Sequence, residues 1–125
     1  MYQAAVALKN FFSGFGIPAY TQDSVPEEVT LPYITYTLPA PEWDQKASLQ
    51  ALIWDRTKSN SRIIQLADRI AAELGDQGKK ISFTGGYLVI HPETPLVQIQ
   101  VDQTNPDYRY AYLNLSINSY NLPGA

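Results

Sequence analysis

The stretch from Tyr108 to Tyr120 alternates with a period of two. Ala111, Leu113, Leu115 and Ile117 fall on one side, and Tyr108, Tyr110, Tyr112, Asn114, Ser116 and Asn118 on the other. Successive side chains of an extended chain point to opposite faces, so this stretch predicts a long strand with one aliphatic and one aromatic, polar face. Such a strand belongs in an antiparallel sheet with one face on a core and the other towards solvent or a partner.

The rest of the chain supplies elements that fit such a sheet. Met1, Ala4, Leu8, Phe11 and Phe15 recur at helical spacing, Phe12 widens the stripe, and Gly14, Gly16 and Pro18 end it. Residues 18–23 suit a short strand, and Ser24 to Thr30, with Pro26 and two glutamates, a loop. Ile34, Tyr36 and Leu38 alternate with Tyr33, Thr35 and Thr37. Ala47, Leu49, Ala51 and Ile53 share a face opposite Leu52 and Trp54, which predicts a hairpin closed by the long connection 39–46. Trp54 is expected in the core or packed on the sheet face.

Ile63, Leu66, Ala67, Ile70, Ala71 and Leu74 mark an amphipathic helix. Ser59 or Ser61 is its expected N-cap and Gly75 its terminator, with Arg62, Gln65, Arg69 and Glu73 facing water. Ile81–Phe83 and Tyr87–Ile90 flank a Thr84-Gly85-Gly86 turn. Leu96–Val101 follows a turn at residues 91–95. The expected class is α+β: one antiparallel sheet with two helices packed on one face, ending in a C-terminal β-meander, as a single domain over residues 1–125.

The chain has 125 residues and 45% hydrophobic content, enough for a core without staples. It has no Cys and one His, which excludes disulfides, cysteine nucleophiles and thiolate or histidine-rich metal sites. With 9 basic against 12 acidic residues, the net charge of −3 argues against a nucleic-acid footprint. Residues 1–62 carry five basic and six acidic groups and residues 63–125 four and six, so the charge of the two halves is balanced. No apolar run reaches the ~18 residues of a membrane span, and the N-terminus lacks the basic start of a signal peptide.

No phosphate-binding loop, nucleophile elbow, dinucleotide fingerprint or zinc-protease motif is present. His91, before Pro92 at a strand end, reads as a turn residue rather than a base. Asp102 and Asp107 bracket an Asp-rich loop that lacks the spacing of an EF-hand. No catalytic residue, metal or cofactor is expected.

Charged residues make up only 17% of the chain, while Tyr numbers 9 and Trp 2. A surface poor in charge and rich in Tyr suits a subunit interface; Tyr also favours strands on its own account. Trp43, between Glu42 and Asp44 in the long connection, either folds back onto the sheet or anchors a partner. The candidate partner-interface residues are Glu42, Trp43, Asp44, Asp102, Asp107, Tyr108, Arg109, Tyr110 and Tyr112.

Three segments carry a family likeness. They are Leu31-Pro32-Tyr33-Ile34-Thr35-Tyr36, Leu52-Ile53-Trp54-Asp55-Arg56-Thr57 leading into the second helix, and Asp107-Tyr108-Arg109-Tyr110 opening the last strand. Together they resemble tail terminator and tail completion proteins of long-tailed bacteriophages, small virion proteins of head–tail joining. The resemblance implies a structural, non-enzymatic subunit, a homo-oligomeric ring that is a hexamer when assembled. That ring would cap the tail tube and meet the head connector, in the virion and, during assembly, in the host cytoplasm. The connection 39–46 and the loop from Asp102 to Asp107 would be its contacts. A minor capsid or neck protein is the alternative, and a small-ligand-binding or enzymatic α+β domain a further one.

Overall fold

A computed structural model describes residues 2–38, 45–57 and 59–121. Glu42, Trp43 and Asp44 therefore lie outside the described residues. The elements run α1 (Tyr2–Ser13), β1 (Ala19–Thr21), β2 (Tyr33–Tyr36), β3 (Lys46–Arg56), α2 (Ser61–Leu74), β4 (Lys79–Phe83), β5 (Gly86–Val101) and β6 (Tyr108–Asn121). The class is mixed α+β: two helices and one six-stranded, mostly antiparallel sheet in the order β1-β2-β3-β6-β5-β4. No described helix is long and apolar enough to cross a membrane.

At the centre of the sheet β3 lies antiparallel to β6, with Ala47 opposite Ile117, Leu49 opposite Leu115, Ala51 opposite Leu113 and Ile53 opposite Ala111. These aliphatic pairs join Leu88 and Ile90 of β5, Ile34 and Tyr36 of β2, Leu8 and Phe12 of α1, and Ile63, Leu66, Ile70 and Leu74 of α2 in one hydrophobic cluster. Phe12 stacks on Tyr36 with ring centroids 4.7 Å apart. Of the two adjacent phenylalanines, Phe12 is the fully buried one, while Phe11 packs at the margin of the cluster.

The structure corrects several expectations. β1 runs parallel to β2, pairing Ala19 with Ile34 and Thr21 with Tyr36, so the sheet is not wholly antiparallel. The connection 22–32 is long enough to carry the chain back to the same end, which a tight turn cannot do. The segment 91–95 does not reverse the chain. Both halves of β5 pair with β6 in one direction, and the register slips between Pro92, opposite Leu115, and Val97, opposite Leu113. Pro92 and Pro95 have no N–H for the ladder, and the irregularity takes up the unpaired residues.

Asn60 stands at the N-cap of α2, and its side chain makes no cap bond. As expected, the Ser59 hydroxyl oxygen accepts a free first-turn amide, the N–H of Ser61, at 3.2 Å, and the Ser59 and Ser61 hydroxyls bond to each other at 2.6 Å. At its other end Gly75 (φ 64°) donates its N–H to Ala71 O, as its position predicts. Arg62 and Arg69 are not simply solvated. Arg69 Nη1 donates to Phe15 O at 3.0 Å, and Arg62 binds Asp55.

Candidate functional site

The alternation that buries the aliphatic residues of β3 and β6 sends their neighbours to the opposite, outer face. There Trp54 lies opposite Tyr110 and Leu52 opposite Tyr112. β2 adds Tyr33 opposite Trp54 and Thr35 opposite Leu52, and β1 adds Tyr20 beside Thr35. β5 adds Gln98 opposite Tyr112 and Gln100 opposite Tyr110. The outer face is thus an aromatic surface crossing five strands.

Its side chains brace one another. The Trp54 and Tyr110 rings are 4.9 Å apart and tilted by 38°. Trp54 Nε1 donates to Thr35 Oγ1 at 3.0 Å. Tyr110 donates its hydroxyl to Gln100 Oε1 at 2.6 Å. Tyr20 meets Tyr33 edge-on at 6.2 Å. Among the described residues, the hydroxyls of Tyr20, Tyr33, Tyr108 and Tyr112 bond to no protein group. Burial, with Tyr108 and Tyr20 beside it, pushes the Tyr33 phenol above its usual value, so it stays a neutral donor. Two cations lie on these rings: Arg56 sits 5.7 Å from the Tyr108 centroid and Lys9 5.1 Å from that of Tyr20.

A smaller cluster occupies the β4–β5–β6 side of the outer face. Tyr87 stacks on Tyr120 at 4.8 Å, with Lys80 4.3 Å from the Tyr87 ring. Between the two clusters the surface is polar. Lys46 pairs with Glu93 at 2.7 Å; this ammonium holds the Glu93 carboxyl below its usual range.

Of the residues expected at an interface, Tyr108, Tyr110 and Tyr112 come together on this surface. Arg109 points the other way: Nε donates to Thr57 O at 2.9 Å and Nη1 to Asn60 Oδ1 at 3.0 Å, tying β6 to the start of α2. Asp102 accepts the Thr104 amide at 2.9 Å. The Asp107 carbonyl accepts the Thr57 N–H at 3.0 Å and its own N–H donates to Asn105 Oδ1 at 3.3 Å, so both aspartates shape the β5–β6 turn. Trp54 proves to be a sheet-face residue.

Sequence reasoning missed Tyr20, Tyr33 and Arg56 as members of this surface. Period two placed Tyr33 opposite the β2 core residues, but only the strand order sets it beside Trp54 and Tyr108. It also missed Asp55, which is fully buried at the end of the β3 aliphatic row. The alternation 47, 49, 51, 53, 55 pointed it inward. Arg62 Nε donates to Asp55 Oδ2 at 2.7 Å, Nη2 donates to Oδ1, and the Arg56 N–H also donates to Oδ1. Burial pushes the Asp55 carboxyl up, but these bonds outweigh it and hold the pKa below the usual carboxylate range. The pair clamps α2 to β3.

Among the described residues no three His, Cys, Asp or Glu side chains gather as metal ligands. Among the described residues, open hollows lie at the Tyr36–Leu38 end of β2, between α1 and β4, between α1 and α2, and beside Lys46, Glu93 and Ser116 on the sheet. What the outer face offers is half-buried aromatic area, hydroxyl donors and cations. No family model and no curated protein matches the chain.

Proposed function

We propose that this chain is a structural virion protein, a tail-terminator-like subunit that closes into a ring, caps a phage tail tube and joins it to the head connector. The observation that carries this reading is the outer face of the sheet, where Tyr20, Tyr33, Trp54, Tyr108, Tyr110 and Tyr112 form one half-buried aromatic surface. Tyr, Trp and Arg are the side chains that interfaces concentrate.

On this reading α1 and α2 cover the aliphatic face, and β4, β5 and β6 form a C-terminal β-meander that presents the outer face. The subunit catalyses nothing and needs no cofactor. Its assembled form is a hexamer, in which one patch meets a different patch on the neighbour until rotation closes the ring. The partners are the tail tube protein and the head connector.

The test is complementation. Purified protein added to terminator-deficient tails restores head joining, and the protein alone gives ring particles by negative-stain microscopy. Protein that leaves such tails unjoined and gives no rings overturns the reading.

A further inference from the structure

The halves of the chain are balanced in charge, but its shorter segments are not. Residues 10–45 contain five acidic residues and no Lys, Arg or His. Within this stretch Asp23, Glu27 and Glu28 are exposed in the β1–β2 connection, and none forms an ion pair among the described residues. The Asp23 carboxylate accepts only a long bond from Ser24 Oγ, 3.4 Å.

The cations show the complementary pattern. Lys46, Arg62 and Lys79 pair with Glu93, Asp55 and Glu73. Arg56 and Lys9 pair with no carboxylate among the described residues. Arg56 lies on Tyr108, and Lys9 lies on Tyr20 while donating to Ala19 O. Both are exposed. Around them stand the Tyr20, Tyr33 and Tyr108 hydroxyls, which have no protein acceptor among the described residues. One end of the outer face thus gathers two cations and three O–H donors, and neither cation pairs with a carboxylate among the described residues.

We propose that this end of the outer face is the socket for the acidic β1–β2 connection of a second copy, with Arg56 and Lys9 of one subunit facing Glu27 and Glu28 of the next. The inference rests on the ring reading above and names the contact that builds the ring. Charge complementarity selects the occupant: the face is cationic in a chain of net charge −3, and the Asp23–Glu28 segment is its acidic counterpart. Within one chain no ion pair joins Arg56 or Lys9 to Asp23, Glu27 or Glu28. Two different patches meeting across subunits make a heterologous contact, the kind that closes rings. The Arg56 guanidinium, 5.7 Å from the Tyr108 centroid, donates to no described residue, which leaves its N–H groups open to a bidentate carboxylate.

The test is charge exchange, read by sedimentation velocity at rising protein concentration. Arg56→Glu alone, and Glu27→Lys with Glu28→Lys, each raise the concentration for half-assembly by roughly tenfold or more through like-charge repulsion. The chain carrying all three changes recovers assembly, and melting curves of all variants match the parent. Where Arg56→Glu lowers the melting point, Arg56→Gln replaces it and gives a smaller loss in the same direction. Asp76→Lys, on another surface, assembles as the parent does. Loss without recovery in the combined variant, or equal loss in Asp76→Lys, overturns the pairing. So does loss in Lys80→Glu but not in the Arg56 variant, which assigns the contact to the Tyr87–Tyr120 cluster. A parent that forms rings while every reversal assembles normally overturns the pairing and leaves the ring reading standing. A parent that stays monomeric throughout overturns both.

Discussion

Strands β3 and β6 build two surfaces from alternate residues of the same backbone ladder, and the two are opposite in chemistry. Towards the core, Leu49 meets Leu115 and Ala51 meets Leu113, all four almost wholly out of water. Towards the outside, Leu52 meets Tyr112 and Trp54 meets Tyr110, half-exposed and rich in polar handles. The inner pairs can only be satisfied by close packing, so they specify the fold. The outer pairs keep apolar area, unpartnered hydroxyls and cations at the surface, where only a second molecule can finish burying them. The difference separates a face that folds the chain from one that stays half in water.

That comparison is broken most directly from the inner side. Leu115→Ala and Leu66→Ala each remove a buried side chain and are expected to cost ~2–5 kcal/mol in urea unfolding. A loss under about 0.5 kcal/mol at both positions, a surface-substitution value, shows that the aliphatic face does not organise the fold.

Next in size is the clamp at the end of that face. Arg62→Ala leaves the buried Asp55 carboxylate without its main partner. The expected loss at neutral pH is about 2 kcal/mol, in the range for hydrogen bonds to charged groups, since Arg62 itself is largely in water. The folded-state pKa of Asp55 is depressed, so its contribution is fully present above the unfolded value of about 4 and is lost as pH falls through the lower folded value. The gap between parent and Arg62→Ala therefore narrows below about pH 4. A gap that stays constant from pH 7 to pH 2.5 shows that the charge pair is not its source.

On the outer side the stability effects shrink and the assembly effects grow. Trp54→Ala removes the tilted contact with Tyr110 and the bond to Thr35. A cost of about 1–2 kcal/mol is expected, since aromatic pairs add ~0.5–1.5 kcal/mol beyond area and part of the ring is already wet. Tyr112→Ser is expected to cost under about 1 kcal/mol, as for surface substitutions, yet to impair ring assembly. If Tyr112→Ser unfolds the domain, or assembles as well as the parent, the division between the two faces does not hold there.

Much of this was legible in the sequence, because periodicity is a local property. The alternation over Tyr108 to Tyr120 and over Ala47 to Asp55 marked two strands and sorted their residues into inner and outer sets. The stripe from Ile63 to Leu74 marked α2, and Gly75 its end. Tyr108, Tyr110 and Tyr112 were legible as one surface for the same reason. Elsewhere a local signal misled. Two prolines around residues 91–95 read as a turn, but a strand partner held the chain extended through them.

Which strands lie together was decided only by the tertiary structure. Nothing in the spacing sets β6 beside β3 with α2, β4 and β5 intervening, or β1 parallel to β2; those pairings follow from burying all the aliphatic rows in one cluster. With them came the gathering of Tyr20, Tyr33, Trp54 and Tyr108, the placing of Arg56 on an aromatic ring, and the joining of Asp55 to Arg62. A residue's pattern tells which way its side chain faces, because that depends on backbone period. What it meets there depends on packing between segments distant in the chain, and that the pattern does not encode.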